Sequence, residues 1–234
     1  MHAARRWTPL AALTALALAG PMRAQTVTIG TPSSSNCIPF GCPGNPFNVS
    51  RYQQVFGAGA FGVSSPIDIM SLTFFNTFNP LFGQFGNATF AVFFSTTNAP
   101  VNGLSTNLSS NVGTPDSPFA TLITANQNTG ASFSINGSGY VYDPMVGNLL
   151  MDIFISSVGQ NGILASMDAD ISGSVLSRAY ESNGAASADG IGLVTKFGYT
   201  PVTTTTPEPT TLALMATGLV AIAARTRRRR RATA

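Results

Sequence analysis

The feature that most constrains the fold is a period-2 alternation of apolar residues, repeated along the middle of the chain. It is clearest in the segments 67–74, 89–95 and 149–158. In the last of these, the apolar residues from Leu149 to Ile155 share one face. Such alternation is typical of half-buried β-strands, and no stretch between the two ends of the chain shows the 3.6-residue period of an amphipathic helix.

Shorter runs of the same kind predict further strands. They cover residues 26–29, 49–56, 119–124, 131–135, 175–180 and 191–199. Clusters of Asn, Gly, Ser and Pro separate them and predict turns, for example at 98–103, 136–139 and 182–184. Short strands at this spacing, with no alternating helices, predict an all-β domain over residues 25–202. We expect an antiparallel β-sandwich, for which a jelly roll is one suitable form.

Most of the positive charge lies at the two ends of the chain. The whole sequence carries a formal charge of +3. Residues 25–206 contain three cationic and eight acidic side chains, a net charge of −5. The single histidine and the single tryptophan, His2 and Trp7, also lie near the N-terminus. An acidic body without histidine excludes a histidine-based catalytic site and argues against a nucleic-acid partner.

Residues 1–24 have the organisation of an export signal. An arginine pair begins the segment, and residues 10–20 form an apolar run of the length found in signal-peptide cores. This run is too short and too rich in small residues for a membrane span. We expect cleavage after Ala24, with Ala19 as the alternative site.

A second apolar run, residues 210–224, precedes an arginine-rich tail at 225–234. A helix of this length is about 22 Å long, shorter than the hydrocarbon core of about 30 Å, so it spans with snorkelling arginines or local thinning. The positive-inside rule places the tail in the cytoplasm and the body outside. The predicted stop-transfer residues are Arg225, Arg227, Arg228, Arg229, Arg230 and Arg231.

The tripeptide Pro207, Glu208 and Pro209 stands directly before this run and ends a threonine-rich linker, residues 203–209. A Pro-Glu-Pro tripeptide, a short apolar run and a terminal arginine cluster resemble the PEP-CTERM sorting signal of exported bacterial proteins. The resemblance implies processing by an exosortase, a membrane-embedded transpeptidase-like enzyme, with Glu208 as the recognition residue. It also implies transient anchoring in the inner membrane, then transfer to the cell surface or the extracellular matrix, among exopolysaccharide and biofilm.

Cys37 and Cys42 are the only cysteines in the chain. In an exported protein, two cysteines so close together predict a disulfide that closes a small loop, with two free thiols as the alternative. Two cysteines cannot complete a tetrahedral zinc site when the body has no histidine.

Asp168 and Asp170 are candidate calcium ligands, although the glycine and the closing glutamate of an EF-hand loop are missing, so solvated turn carboxylates are the competing interpretation. Bound calcium would suit a calcium-dependent carbohydrate-binding module. The aromatic side chains left for stacking on sugars would be Tyr52, Tyr140, Tyr142, Tyr180 and Tyr199.

A polysaccharide hydrolase that uses aspartate or glutamate is a further alternative. A serine nucleophile would have no histidine base, and the body contains no Gly-x-Ser-x-Gly motif. We therefore predict a non-enzymatic surface or matrix protein that needs no cofactor and has a structural or adhesive role in exopolysaccharide.

Overall fold

Antiparallel strands make up most of the secondary structure. The computed structural model describes residues 23–42, 49–81, 83–159, 165–202, 214–219, 221–222 and 225, and the side chains of 157–159 are left out of the description. The strands in these ranges are β1 (Gln25–Ile29), β2 (Ser34–Asn36), β3 (Val49–Phe56), β4 (Ile67–Phe75), β5 (Asn87–Thr97), β6 (Ser117–Thr124), β7 (Ser132–Tyr142), β8 (Asn148–Gly159), β9 (Met167–Asp170), β10 (Leu176–Ser182), β11 (Ala185–Asp189), β12 (Gly192–Leu193) and β13 (Thr195–Pro201). Two 3₁₀ turns cover Ala58–Phe61 and Leu108–Asn111. The described residues from 214 to 225 are helical.

Two large sheets contain eight principal strands in the order of a jelly roll. One sheet has the order β1-β13-β4-β7, and the other has the order β11-β10-β3-β8-β5-β6. Without the β10–β11 hairpin, the principal strands one to eight in chain order are β1, β3, β4, β5, β6, β7, β8 and β13. Strands one, eight, three and six then form one sheet, and strands two, seven, four and five form the other, which is the order of a jelly roll. All neighbouring strands in both sheets are antiparallel. The predicted antiparallel sandwich is therefore confirmed, and its strand order is that of the jelly-roll form.

A small third sheet, β12-β9-β2, is joined to the six-stranded sheet by a buried glutamine. The Gln54 side chain on β3 donates to the Leu193 carbonyl at 2.9 Å and accepts the Leu193 N–H at 2.7 Å. The Tyr52 hydroxyl donates to the same Gln54 oxygen at 2.6 Å. Because each polar atom of the Gln54 side chain is bonded, the glutamine can be fully buried without a large desolvation penalty.

The main core lies between the two large sheets and follows the predicted alternation. On β8, Leu149 and Ile153 are fully buried, and Ile155 packs against the same core. Phe40 lies at the centre of an aromatic cluster at one end of this core. The rings within 6 Å of its ring centroid are those of Phe74, Phe85, Phe90 and Phe133. Edge-to-face packing of this kind adds to the free energy gained from burying the apolar surface.

The middle of the outer face of the six-stranded sheet is also covered. Val55 on β3, Leu150 on β8 and Ala179 on β10 form a second buried cluster with Leu104. Leu104 belongs to the segment 98–113, which connects β5 to β6 and which we call the covering loop. Burial on both faces explains why Leu149 and Leu150 can be consecutive apolar residues in one strand.

The turns predicted at 98–103 and 182–184 are confirmed, whereas the turn predicted at 136–139 is wrong. Asn183 and Gly184 both have positive φ and connect β10 to β11. The cluster 136–139 lies inside β7, where the pairing with β4 shifts register. Gly139 has a φ of +93° there, so the glycines accommodate a β-bulge instead of a chain reversal.

The single strand predicted over 191–199 is divided between two sheets. β12 pairs with β9, whereas β13 pairs with β1 and β4. The N–H of the intervening Val194 donates to the Asp168 carbonyl at 2.9 Å. The sequence does not predict β2, β9 and β11, because these strands are short and rich in small or polar residues.

The bulged part of β7 generates a prediction. Gly137 lies directly under the buried Phe119 ring, so an alanine methyl at this position would overlap the ring. The ring also packs against Phe94, which limits its movement. Gly137→Ala should lower the free energy of unfolding by about 1–3 kcal/mol in denaturant titrations. Gly59→Ala is the matched control because its methyl would meet no atom within 4 Å, and an equal loss in both variants would contradict the packing argument.

Candidate functional site

The described residues of the C-terminal segment include four exposed apolar side chains. Leu214, Met215, Leu219 and Ile222 lie on its helical residues and are each at least 63% exposed. Arg225 is helical as well. Apolar side chains at this exposure gain free energy when a lipid or another protein buries them.

Several of the predicted functional residues lie outside the described ranges. They include residues 1–22 of the signal, the tripeptide Pro207, Glu208 and Pro209, and Arg227, Arg228, Arg229, Arg230 and Arg231. Within the described residues, none of the helices has the length and apolar character needed to span a bilayer. The membrane span at 210–224 and the signal peptide remain predictions.

The predicted disulfide between Cys37 and Cys42 is confirmed. The Gly41 N–H donates to the Cys37 carbonyl across the closed loop, and the Ile38 N–H donates to the Asn36 side chain at 2.8 Å. The loop directs Phe40 into the aromatic cluster described above. The disulfide therefore has a structural role, because it holds a core side chain on a segment without long strands.

Asp168 is buried and bonded to the segment that follows β4. Its carboxylate accepts the Thr77 N–H at 2.8 Å, the Thr77 hydroxyl at 2.6 Å and the Phe78 N–H at 2.8 Å. The same carboxylate oxygens would be the ones offered to a cation. Asp168 thus joins β9 to the β4–β5 connection.

Asp170 is bonded to two other segments. Its carboxylate accepts the Thr31 N–H at 2.9 Å and the Ser172 N–H at 2.7 Å. Burial alone would raise the pKa of Asp170, but the hydrogen bonds from Ser172 and Thr31 outweigh it and hold the pKa below its ordinary value. Across the described residues, no group of three or more His, Cys, Asp or Glu side chains is placed to hold a metal ion. A calcium site at Asp168 and Asp170 stays a prediction.

The sequence does not predict an ion pair on the outer face of the six-stranded sheet, between the half-buried Arg51 and the buried Asp152. Arg51 Nη2 lies 2.6 Å from Asp152 Oδ2, and Arg51 Nε lies 3.0 Å from Asp152 Oδ1. Gln53 also donates to Asp152 at 2.9 Å, and the guanidinium lies over the Phe154 ring. The hydrogen bond to Asp152 raises the pKa of Arg51 above its ordinary value. A single aspartate in the apolar run of β8 is the sequence signal that could have indicated this pair.

The second arginine of the body is also used inside the fold. Arg178 on β10 donates to both carboxylate oxygens of Asp189 at 2.9 and 3.0 Å. It also donates to the Asn36 side chain on β2 at 2.8 Å, and it lies over the Tyr180 ring. This arginine therefore joins the six-stranded sheet to the third sheet. Neither Arg51 nor Arg178 presents an unpaired guanidinium to a ligand.

The proposal that the tyrosines stack on sugars is wrong for four of the five. Tyr52, Tyr140, Tyr142 and Tyr199 are buried in the core. Burial raises the pKa of the Tyr52 and Tyr142 hydroxyls. Tyr180 is half-buried under Arg178. The alternation along each strand places these tyrosines on the inward face. The expectation that tyrosines are free for sugar binding does not take this alternation into account.

An uncharged cleft of about 560 Å³ lies between the end of β5 and the covering loop. Its polar lining includes Thr96, Asn98, Ser105, Ser110, Asn111 and Thr114. Two of its neighbouring hydroxyls are bonded within the fold: Thr97 donates to the Asn111 carbonyl, and Ser110 donates to the Asn107 carbonyl. The cleft offers amide and hydroxyl groups, and none of its described lining residues is charged.

The comparisons with known proteins identify the tail. A family model described as the PEP-CTERM protein-sorting motif matches residues 205–229. The match includes the Pro-Glu-Pro tripeptide, the apolar run and part of the arginine cluster, and it supports an exported protein that an exosortase sorts to the cell envelope. No curated protein and no solved structure matches the chain.

The hydrogen bonds of Asp170 generate a prediction about pH. Because the folded-state pKa lies below the unfolded value of about 3.9, ionised Asp170 stabilises the fold near neutral pH. This contribution is lost as the pH falls through the folded-state pKa. Asp170→Asn should therefore lower the free energy of unfolding at pH 7, and the difference from the natural chain should shrink in acid.

Asp116→Asn is the control because its pKa shift has the opposite sign. Asp116 is exposed, but partial desolvation and then the nearby Asp152 carboxylate raise its pKa, so its ionised form costs a little stability at neutral pH and the cost is relieved in acid. Denaturant titrations at several pH values would compare both variants. A destabilisation by Asp170→Asn that is the same at every pH would show that the carboxylate charge is not responsible.

Proposed function

We propose that the chain, which carries a PEP-CTERM protein-sorting motif at residues 205–229, is a structural or adhesive protein of the cell surface or extracellular matrix. An N-terminal signal exports it, and the apolar run at 210–224 anchors it transiently in the inner membrane. The terminal arginines remain in the cytoplasm, and an exosortase then processes the chain at or near the Pro-Glu-Pro tripeptide. The family match is the observation that carries this proposal.

The position of the motif in the sequence, after the last strand of the body, supports processing of a domain that has already folded. β13 ends at Pro201, and the Val202 N–H donates to the Pro66 carbonyl at 2.9 Å. Glu208 lies seven residues after Pro201 in the sequence. Proline on both sides of Glu208 disfavours its inclusion in a following helix, which suits recognition in an extended conformation.

The chemistry of the body supports a structural role among neutral polymers. Arg51 and Arg178 both form ion pairs within the fold, and Lys196 lies over the Phe75 ring. The carboxylates of Asp152, Asp168 and Asp170 are bonded inside the fold. The remaining surface is rich in Ser, Thr and Asn, which can form hydrogen bonds with sugar hydroxyls without charge. We therefore propose a non-enzymatic role within exopolysaccharide.

Glu208→Ala tests the sorting step. If Glu208 is the recognition residue, the variant should accumulate in the membrane fraction with its C-terminal tail intact, whereas the natural chain loses the tail. Mass spectrometry and fractionation of producing cells would measure both quantities. Glu181→Ala is the matched control, because Glu181 is the only other glutamate in the chain and lies on β10 of the body. Identical mass and location of the Glu208→Ala and natural proteins would contradict recognition at this residue.

Co-sedimentation with exopolysaccharide tests the proposed role. The purified processed protein should sediment with exopolysaccharide from the producing cell and should stay in the supernatant when no polymer is added. Binding that is unchanged by a calcium chelator supports the structural role, whereas binding abolished by the chelator would favour the calcium-dependent carbohydrate-binding module. Release of reducing sugar during the incubation would instead indicate a hydrolase. A protein that stays in the supernatant would contradict association with this polymer.

A further inference from the structure

The first and last strands of the jelly roll bring the two ends of the body together. β1 and β13 are antiparallel neighbours, with Gln25 opposite Tyr199. The Tyr199 hydroxyl donates to the Gln25 side chain at 3.1 Å. The chain therefore enters the body after Ala24 and leaves it after Pro201 at the same end of the four-stranded sheet.

The turn between β7 and β8 lies at this same end. Pro201 on β13 is opposite Ile67 on β4, and Ile67 is opposite Tyr142 on β7. Two strand spacings of about 4.8 Å separate Pro201 from Tyr142, which gives about 10 Å. The turn that follows Tyr142 is thus beside the point where the chain continues toward the sorting motif. We call this end of the body the exit end.

The turn at the exit end is held in place and yet presents apolar side chains. The Met145 N–H donates to the Asp143 carboxylate at 2.9 Å, and the Val146 N–H donates to the Asp143 carbonyl at 3.1 Å. The Tyr142 hydroxyl closes the turn by donating to the Gly147 carbonyl at 2.8 Å.

Polar residues and glycine usually occupy such turn positions, because the side chains there meet water. Met145 and Val146 are instead 74% and 66% exposed. Since the backbone of the turn is already ordered, burying these two side chains against a partner would cost little further conformational entropy.

We propose that, while the chain is anchored, the exit end faces the bilayer and Met145 and Val146 insert into the lipid interface. This inference rests on the membrane anchoring in the proposed function. The segment proposed to anchor the chain continues from Pro201 at the exit end, so lipid is the surface that this end meets. Small apolar groups on a rigid turn can enter the boundary between headgroups and acyl chains, and such contact is reversible. It would orient the body above the membrane before the tail is processed.

Site-specific labelling of the full chain tests the orientation. Because Cys37 and Cys42 are bonded to each other and are the only cysteines, an introduced cysteine is the single free thiol. Val146→Cys or Met145→Cys would be labelled with an environment-sensitive fluorophore, and the protein reconstituted in phosphatidylcholine vesicles.

Leu81→Cys is the matched control. Leu81 is also apolar and is 89% exposed, but it follows β4 at the end opposite to Ile67. Eight residue steps along β4 separate the two ends of this strand, about 26 Å.

The labels at 145 and 146 should show blue-shifted emission and quenching by a lipid-borne quencher, and the label at 81 should show neither. Vesicle flotation measures anchoring independently in the same samples. If all three labels remain equally exposed to water in protein that floats, the orientation is wrong although the anchoring stands. If the natural chain does not float, the anchoring is wrong and the orientation is overturned with it.

Discussion

Burial of both faces of the central strands β3 and β8 is the constraint on which the rest of the body depends. The inner faces of β3 and β8 pack against the four-stranded sheet, and the outer faces pack under the covering loop. Any polar side chain on these strands must therefore be bonded within the protein, since an unpaired buried charge costs several kcal/mol. Arg51, Gln53 and Asp152 satisfy this requirement together, and Arg51 also donates to Ser109 in the covering loop. The polar groups thus hold the covering loop in place, and few charges are left for the surface.

The strands that pair with close neighbours in a regular alternation could be predicted from the sequence, because one face of each strand is apolar over several residues. β5 and β8 are the clearest examples. β9 could not be predicted, because its sequence Met-Asp-Ala-Asp gains its place from distant partners: Asp168 binds Thr77, and Asp170 binds Thr31. The glycines at 137 and 139 predict a turn because the local sequence signal for a bulge and for a turn is the same. Only the Phe119 ring and the register with β4 distinguish the two.

The candidate functional residues also differ in how far the sequence predicts them. The sorting motif could be predicted because it is defined by the order of residues in one short segment, and the family model matches it at residues 205–229. The functional chemistry of the body could not be predicted, because it depends on which side chains remain free after folding. Tyr142 and Tyr180 show the difference, since the sequence offers both to a sugar, yet the first is buried and the second lies under Arg178.

The arrangement of β1 and β13 is compatible with the proposed processing of the tail. β13 is an inner strand of its sheet, paired with β1 on one side and β4 on the other, so its loss would expose the core. Its last paired residue, Pro201, precedes the Pro-Glu-Pro tripeptide in sequence. Cleavage at or after that tripeptide would leave every described strand pair intact. All described strand pairs of the jelly roll therefore lie before the tripeptide in sequence, as the proposed processing of the tail requires.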